Sequence, residues 1–147
     1  MPDAAQTLVD SVISISAGLP ATDDAAGYGA LTLTPIGQVT SWTPGGRTHT
    51  LTPSNPIGQR GTDFYKATYN NGTDSITVNR DDDDAGQILC LAAEASDAAY
   101  SFSVTYQDGT IDYFQGKVPS FITGAGDANA LVTATLSIQR NTNTITV

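Results

Sequence analysis

The chain has 147 residues, with 15 acids against 6 bases, a formal charge of −9 and one cysteine. A chain of this length buries about two-thirds of its unfolded surface, so it needs no metal to hold a core, and a lone cysteine makes no internal bridge. The six cations are scattered singly, which argues against tight phosphate-driven binding of nucleic acid and suits a surface that repels it.

The length favours one domain over residues 1–147. The opening MPDAAQTLVD has neither a basic stretch nor an apolar run, so no signal peptide is read there. No apolar run approaches the roughly 18 residues that span a membrane. The expectation is a soluble product of the cytoplasm that does not insert into membranes.

The dominant period is two. Weak strands are expected at Ser11–Ser16, Gly37–Trp42 and Thr48–Thr52. Between the first two lies Gly18–Ile36, a loop rich in Gly, Ala and Asp. Its GYGALT begins like a dinucleotide loop but lacks the third glycine. Thr43–Gly61 reads as a second long loop, with three prolines, many glycines and little to form a core. FYKATYNNGTDSITVNR then reads as a hairpin turning at Asn71-Gly72, with Ile76 and Val78 on the return strand.

Four aspartates follow, Asp81, Asp82, Asp83 and Asp84. A calcium loop needs oxygen ligands at alternate positions and a glutamate at about its twelfth. Counted from Asp81, the twelfth position is Ala92; counted from Asp83, the third and fifth are Ala85 and Gln87. Both registers fail. A helix start fits better, with Asp81 as N-cap and the next three carboxylates in the first turn. Ala85, Ile88, Leu91, Ala92 and Ala95 then share one stripe, which predicts a helix from near Asp82 to near Ser96. Ile88, Leu91 and Ala92 are expected to pack on the sheets, with Cys90 and Glu94 pointing away.

Tyr100, Phe102, Val104 and Tyr106 alternate with small polar residues up to Asp108-Gly109, and Ile111 and Tyr113 resume the pattern: a second hairpin. Val132, Ala134, Leu136 and Ile138 mark a last strand.

Chemistry is sparse. His49 is the one histidine, so one chain cannot form a two-histidine zinc site. No G-x-S-x-G elbow occurs. Cys90 reads as a structural thiol and Trp42 as core or interface. Glycoside hydrolysis by paired aspartates depends on a separation in space, and the acids here sit in turns and at the helix start. No catalytic residue, cofactor site or metal site emerges.

The order of the pieces carries a resemblance. NRDDDDAGQ follows an NNG turn; YSFSVTYQDGTIDYFQGKVPSF and TGAGDANALVTATLSI come after it, and AAGYGALTLTPIGQVTSW stands upstream. From Gly27 to Ile138 the chain resembles the major tail tube protein of long-tailed, non-contractile bacteriophages. The resemblance implies a mainly β fold: two packed antiparallel sheets, a β-sandwich or barrel, with one flanking α-helix and a long extended loop. It implies a structural virion protein, not an enzyme, that uses no cofactor. Copies would close into hexameric rings and stack into the hollow tube that delivers DNA. Partners would be other copies, the tape measure, the tail terminator and the tail tip. The short stretch after Ile138 implies a tube module without an immunoglobulin-like decoration domain. Contacts between subunits and rings are expected from Trp42, Arg47, His49, Leu51, Ile57 and Arg60, in a loop that orders against a neighbour. Rival readings are a tail terminator or contractile-system tube subunit of the same fold, a monomeric β-sandwich binding module, and an aspartate hydrolase.

Overall fold

The computed structural model describes residues 6–147. In chain order the elements are β1 (Val12–Ser16), α1 (Ala25–Gly29), β2 (Thr34–Pro35), β3 (Val39–Thr43), β4 (Thr48–Ser54), β5 (Asp63–Asn70), β6 (Thr73–Asn79), α2 (Ala85–Ala95), β7 (Tyr100–Thr105), β8 (Ile111–Gly124), β9 (Thr133–Arg140) and β10 (Ile145–Thr146). All pairing is antiparallel. One eight-stranded sheet runs β2-β1-β7-β8-β9-β6-β3, with β10 added to β8; β4 and β5 form a separate ribbon.

The two facing layers expected from the sequence are halves of this one sheet. Strand β8 has 14 residues. Its first part, Ile111–Gly116, pairs with β7, and its second, Gly116–Gly124, pairs with β9. The register shifts between Lys117 and Ser120, where the strand bends. One core joins both halves: Ile15, Phe102, Val104 and Phe114 on one side, and Ile76, Val78, Ala134, Leu136 and Ile138 on the other. Strands β6 and β9 bury every second residue, as a sheet with one dry face requires.

Strand β7 is buried on both faces. Its outward Ser101 and Ser103 lie under the 16–31 segment, and Ser101 Oγ donates to the Gly18 carbonyl at 2.7 Å. That segment holds α1, so the described residues form two helices where one was expected. Asp24 caps α1 by accepting from the Gly27 amide at 2.8 Å. Tyr28 in α1 stacks on Tyr113 at 5.1 Å between ring centroids.

The β7–β8 hairpin forms at Asp108-Gly109, with Gly109 at φ 91°. The hairpin expected at Asn71-Gly72 does not. Gly72 does turn the chain, at φ 101°. Yet β5 pairs with β4, while β6 pairs with β3 and β9. The reason lies in the side chains. β6 turns Asp74, Ile76 and Val78 to the core. β5 carries aromatics on both parities, Phe64 against Tyr65 and Tyr69, and is exposed throughout. It has no single face to bury, so it leaves the body.

Helix α2 is present, but its phase differs from expectation. Its N-cap is Asp84, not Asp81: the Asp84 carboxylate accepts from the Gln87 amide at 3.0 Å. Its buried residues are Gly86, Gln87, Cys90 and Ala93. Ile88 is 51% exposed and Leu91 43%, and Ala92 is exposed too. Two local contacts fix this phase. A Cβ on Gly86 would lie 2.2 Å from the Pro35 carbonyl oxygen, so only glycine allows the helix this close to β2. Gln87, buried beside it, donates to the carbonyls of Gly37 and Asn79 at 3.1 and 3.0 Å and accepts from the Asp81 amide at 2.9 Å. Cys90, expected to point away, sits in the core. Burial, then the Asp84 charge, pushes its thiol pKa up to about 12.

Candidate assembly surfaces

The segment expected as an extended loop is half of an arm. Strands β4 and β5 form a ribbon joined by a turn over residues 55–62. The arm contributes nothing to the hydrophobic core. It leaves and rejoins the body at one place, because a Cβ on Gly72 would lie 2.5 Å from the Gly46 amide nitrogen.

A bulge gives the arm two unlike faces. His49 pairs with Tyr69 and Leu51 with Lys66, so β5 spends one residue more than β4 over this stretch. Opposed residues share a face. Without the bulge Phe64 and Tyr69 would point apart; with it, both join His49, Leu51, Pro53 and Lys66 on one side. The other side carries Thr48, Thr50, Thr52, Ser54 and Tyr65. Arg47 lies over the Tyr69 ring at 4.2 Å, and the His49 and Tyr69 rings stand 5.4 Å apart. Leu51, Phe64, Tyr65 and Tyr69 are all more than half exposed.

The six contact residues expected from the sequence therefore divide. Arg47, His49 and Leu51 lie along the arm, and Ile57 and Arg60 lie in its turn, with Ile57 fully exposed. Trp42 is set apart, at the end of β3 against the core. Phe64, Tyr65 and Tyr69 belong to the same surface and were not among the residues expected there. Aromatics on both parities of one strand were the available signal, since such a strand cannot hide them all.

A buried ion pair anchors the arm. The Arg140 guanidinium donates twice to Asp74, at 2.5 Å from Nε and 2.8 Å from Nη2. Asp74 is fully buried and Arg140 nearly so. Asp74 also accepts from Trp42 Nε1 at 3.1 Å and from the Gly45 amide at 2.8 Å. Arg140 further donates to Thr144 Oγ1 and lies 3.9 Å over the Phe114 ring. One carboxylate thus ties the end of β3 and the root of the arm to β6 and β9.

The four aspartates have separate tasks. Asp81 accepts from the Asp83 amide in a turn, and Asp82 pairs with the exposed Arg80 at 2.9 Å. Asp84 caps α2 and also accepts from the Gly37 amide at 3.0 Å. Among the described residues, no three His, Cys, Asp or Glu side chains come together as an ion site. No helix among them is long and apolar enough to cross a membrane.

No family profile matches the chain, and no curated protein matches it. Solved structures match it in three dimensions. The baseplate of the anti-feeding prophage superposes with a TM-score of 0.70 at 10% identity, over 100% of this chain and 97% of that one. The tail of an empty GTA particle, with C6 symmetry, gives 0.69 at 13% identity, over 97% and 99%. The SPP1 tail tube gives 0.62 at 12% identity, over 93% and 76%. The chain has the fold of phage tail tube and baseplate proteins.

Proposed function

We propose that the chain is a single-domain tail tube subunit. Its copies close into hexameric rings that stack into the hollow tail of a long-tailed bacteriophage, through which DNA passes to the host. The observation that carries this reading is the full-length fold match to tail and baseplate structures.

The exposed arm supports it. A two-stranded ribbon is marginally stable alone in water, and this one displays Leu51, Ile57, Phe64, Tyr65 and Tyr69. Isolated apolar residues are normal on a surface, but a group gathered on one projection marks an interaction site. A projection received by a different surface on the next copy gives a head-to-tail contact, which closes into rings around an axis or propagates along one. The acidic surface supports passage without adhesion, because it repels phosphate. In this role the chain is structural rather than enzymatic, and its further partners are the tape measure, the terminator and the tail tip.

Sedimentation of the purified chain at rising concentration tests the reading. Tube formation predicts a pelletable polymer above a threshold concentration. Closed rings that never lengthen would favour the terminator reading, and a monomer at every concentration would refute assembly by this chain.

A further inference from the structure

Helix α2 presents outward the residues that a helix ordinarily buries. Ala85, Ile88, Leu91, Ala92 and Ala95 form a continuous exposed stripe, opposite the buried Gly86, Gln87, Cys90 and Ala93. The helix packs mainly on β1, β2 and β8 of its own chain, and its stripe residues are exposed. The stripe is therefore free in the isolated subunit.

The arm has the matching properties. The face that gathers Leu51, Pro53, Phe64 and Tyr69, together with His49 and Lys66, is about 23 Å long at about 3.3 Å per residue over β4. The 11-residue helix is about 16 Å long. One arm can cover the whole stripe. The charges also match. The arm holds Arg47, Arg60 and Lys66 against Asp63 alone, leaving 14 of the 15 acids and 3 of the 6 bases to the rest of the chain. The stripe is bounded by Asp82 and Asp83 at its start and by Glu94 and Asp97 at its end. Of the bases near it, Arg80 is already paired with Asp82, and Lys117 lines a groove with Glu94 and Asp97.

We infer that the apolar face of the arm lies on the outward face of α2 in a second copy of this chain. Leu51, Phe64 and Tyr69 cover Ile88 and Leu91, and Arg47 at the root of the arm and Arg60 in its turn meet the acids at the ends of the helix, while Lys66, opposite Leu51, extends past the stripe to its acidic flank. This inference rests on the assembly reading above and names the receiving surface. The contact is heterologous, arm to helix, so each copy gives one and receives one.

Two measurements test it. The first is the Ile88→Glu, Leu91→Glu double variant. Both positions are exposed, so its melting curve should match that of the parent chain, while the threshold for polymer should rise by more than about tenfold. The second mixes a Phe64→Cys chain with a Leu91→Cys chain under oxidation. Covalent dimers should form in the mixture and not in either chain alone, because the native Cys90 is buried. Polymer from the double variant at the parent threshold overturns the inference. So does a double variant that fails to polymerise while the mixture gives no disulfide, since something other than the arm then covers the helix. A parent chain that never polymerises refutes the assembly reading itself, a result separable from both.

Discussion

Replacing Asp74 by alanine tests how the arm is held. Asp74 is fully buried and receives four hydrogen bonds, two from Arg140, one from Trp42 and one from the Gly45 amide. Asp74→Ala leaves the Arg140 guanidinium with only Thr144 Oγ1 and the Phe114 ring. Removing one partner of a buried ion pair costs about 3–5 kcal/mol, because the remaining charge is desolvated and uncompensated. The Trp42 and Gly45 donors are half-buried, so water satisfies part of their loss; each adds about 1 kcal/mol, the low end for an orphaned donor. These terms share one site and do not add fully. The expected loss is about 4–6 kcal/mol, comparable to the whole stability of a marginal domain. Urea denaturation followed by far-UV circular dichroism measures it without relying on Trp42, which belongs to the network. The Asp74→Leu, Arg140→Met pair should recover most of the loss, since apolar replacement of both partners is often neutral or better. An Asp74→Ala variant that loses less than about 1 kcal/mol, or a double variant no better than the single, would refute the argument.

Leu91→Ala should cost no more than about 1 kcal/mol, because Leu91 is only partly covered, whereas Ala93→Leu should cost about 1–3 kcal/mol by overpacking the core; thermal melting of the two variants separates the observed helix phase from its reverse. Excising Arg47–Asn70 and joining Gly46 to Asn71 should leave a folded monomer with its melting transition intact, since no arm residue belongs to the core, and should abolish pelletable polymer. The Cys90 thiol is raised from 9.0 to about 12, so the stability it contributes is fully present below pH 9 and is lost as pH rises from 9 towards 12. Denaturation midpoints across that window should fall less steeply for Cys90→Ala than for the parent chain, and folded protein should resist alkylation that the unfolded chain undergoes.

The strands legible in the sequence are those with one dry face. Ile76 and Val78, or Ala134, Leu136 and Ile138, repeat at period two because the core accepts every second residue. The helix was legible as an element but not in its orientation. Periodicity finds a stripe without saying which way it faces, and here Gly86 and Gln87 hold the small side to the sheet while Ile88 and Leu91 turn outward. Helix α1, of five residues, is too short to show a period. The arm is hidden in the sequence because Asn71-Gly72 is a strong local turn signal, whereas the pairing of β5 with β4 depends on contacts that sequence order does not show. The Asp74–Arg140 pair joins residues 66 positions apart. It left one trace: an acid in phase with Ile76 and Val78, and a base in phase with Leu136 and Ile138. A charge at an inward position on each of two strands signals a buried pair.

Electron microscopy of the purified chain, negatively stained above its polymer threshold, tests the central claim most directly. The account predicts hollow tubes of uniform width with a regular axial repeat, and end views of closed rings of six. The same preparation of the arm-excised chain should show no tubes. Monodisperse single particles from the intact chain at every concentration would contradict the account.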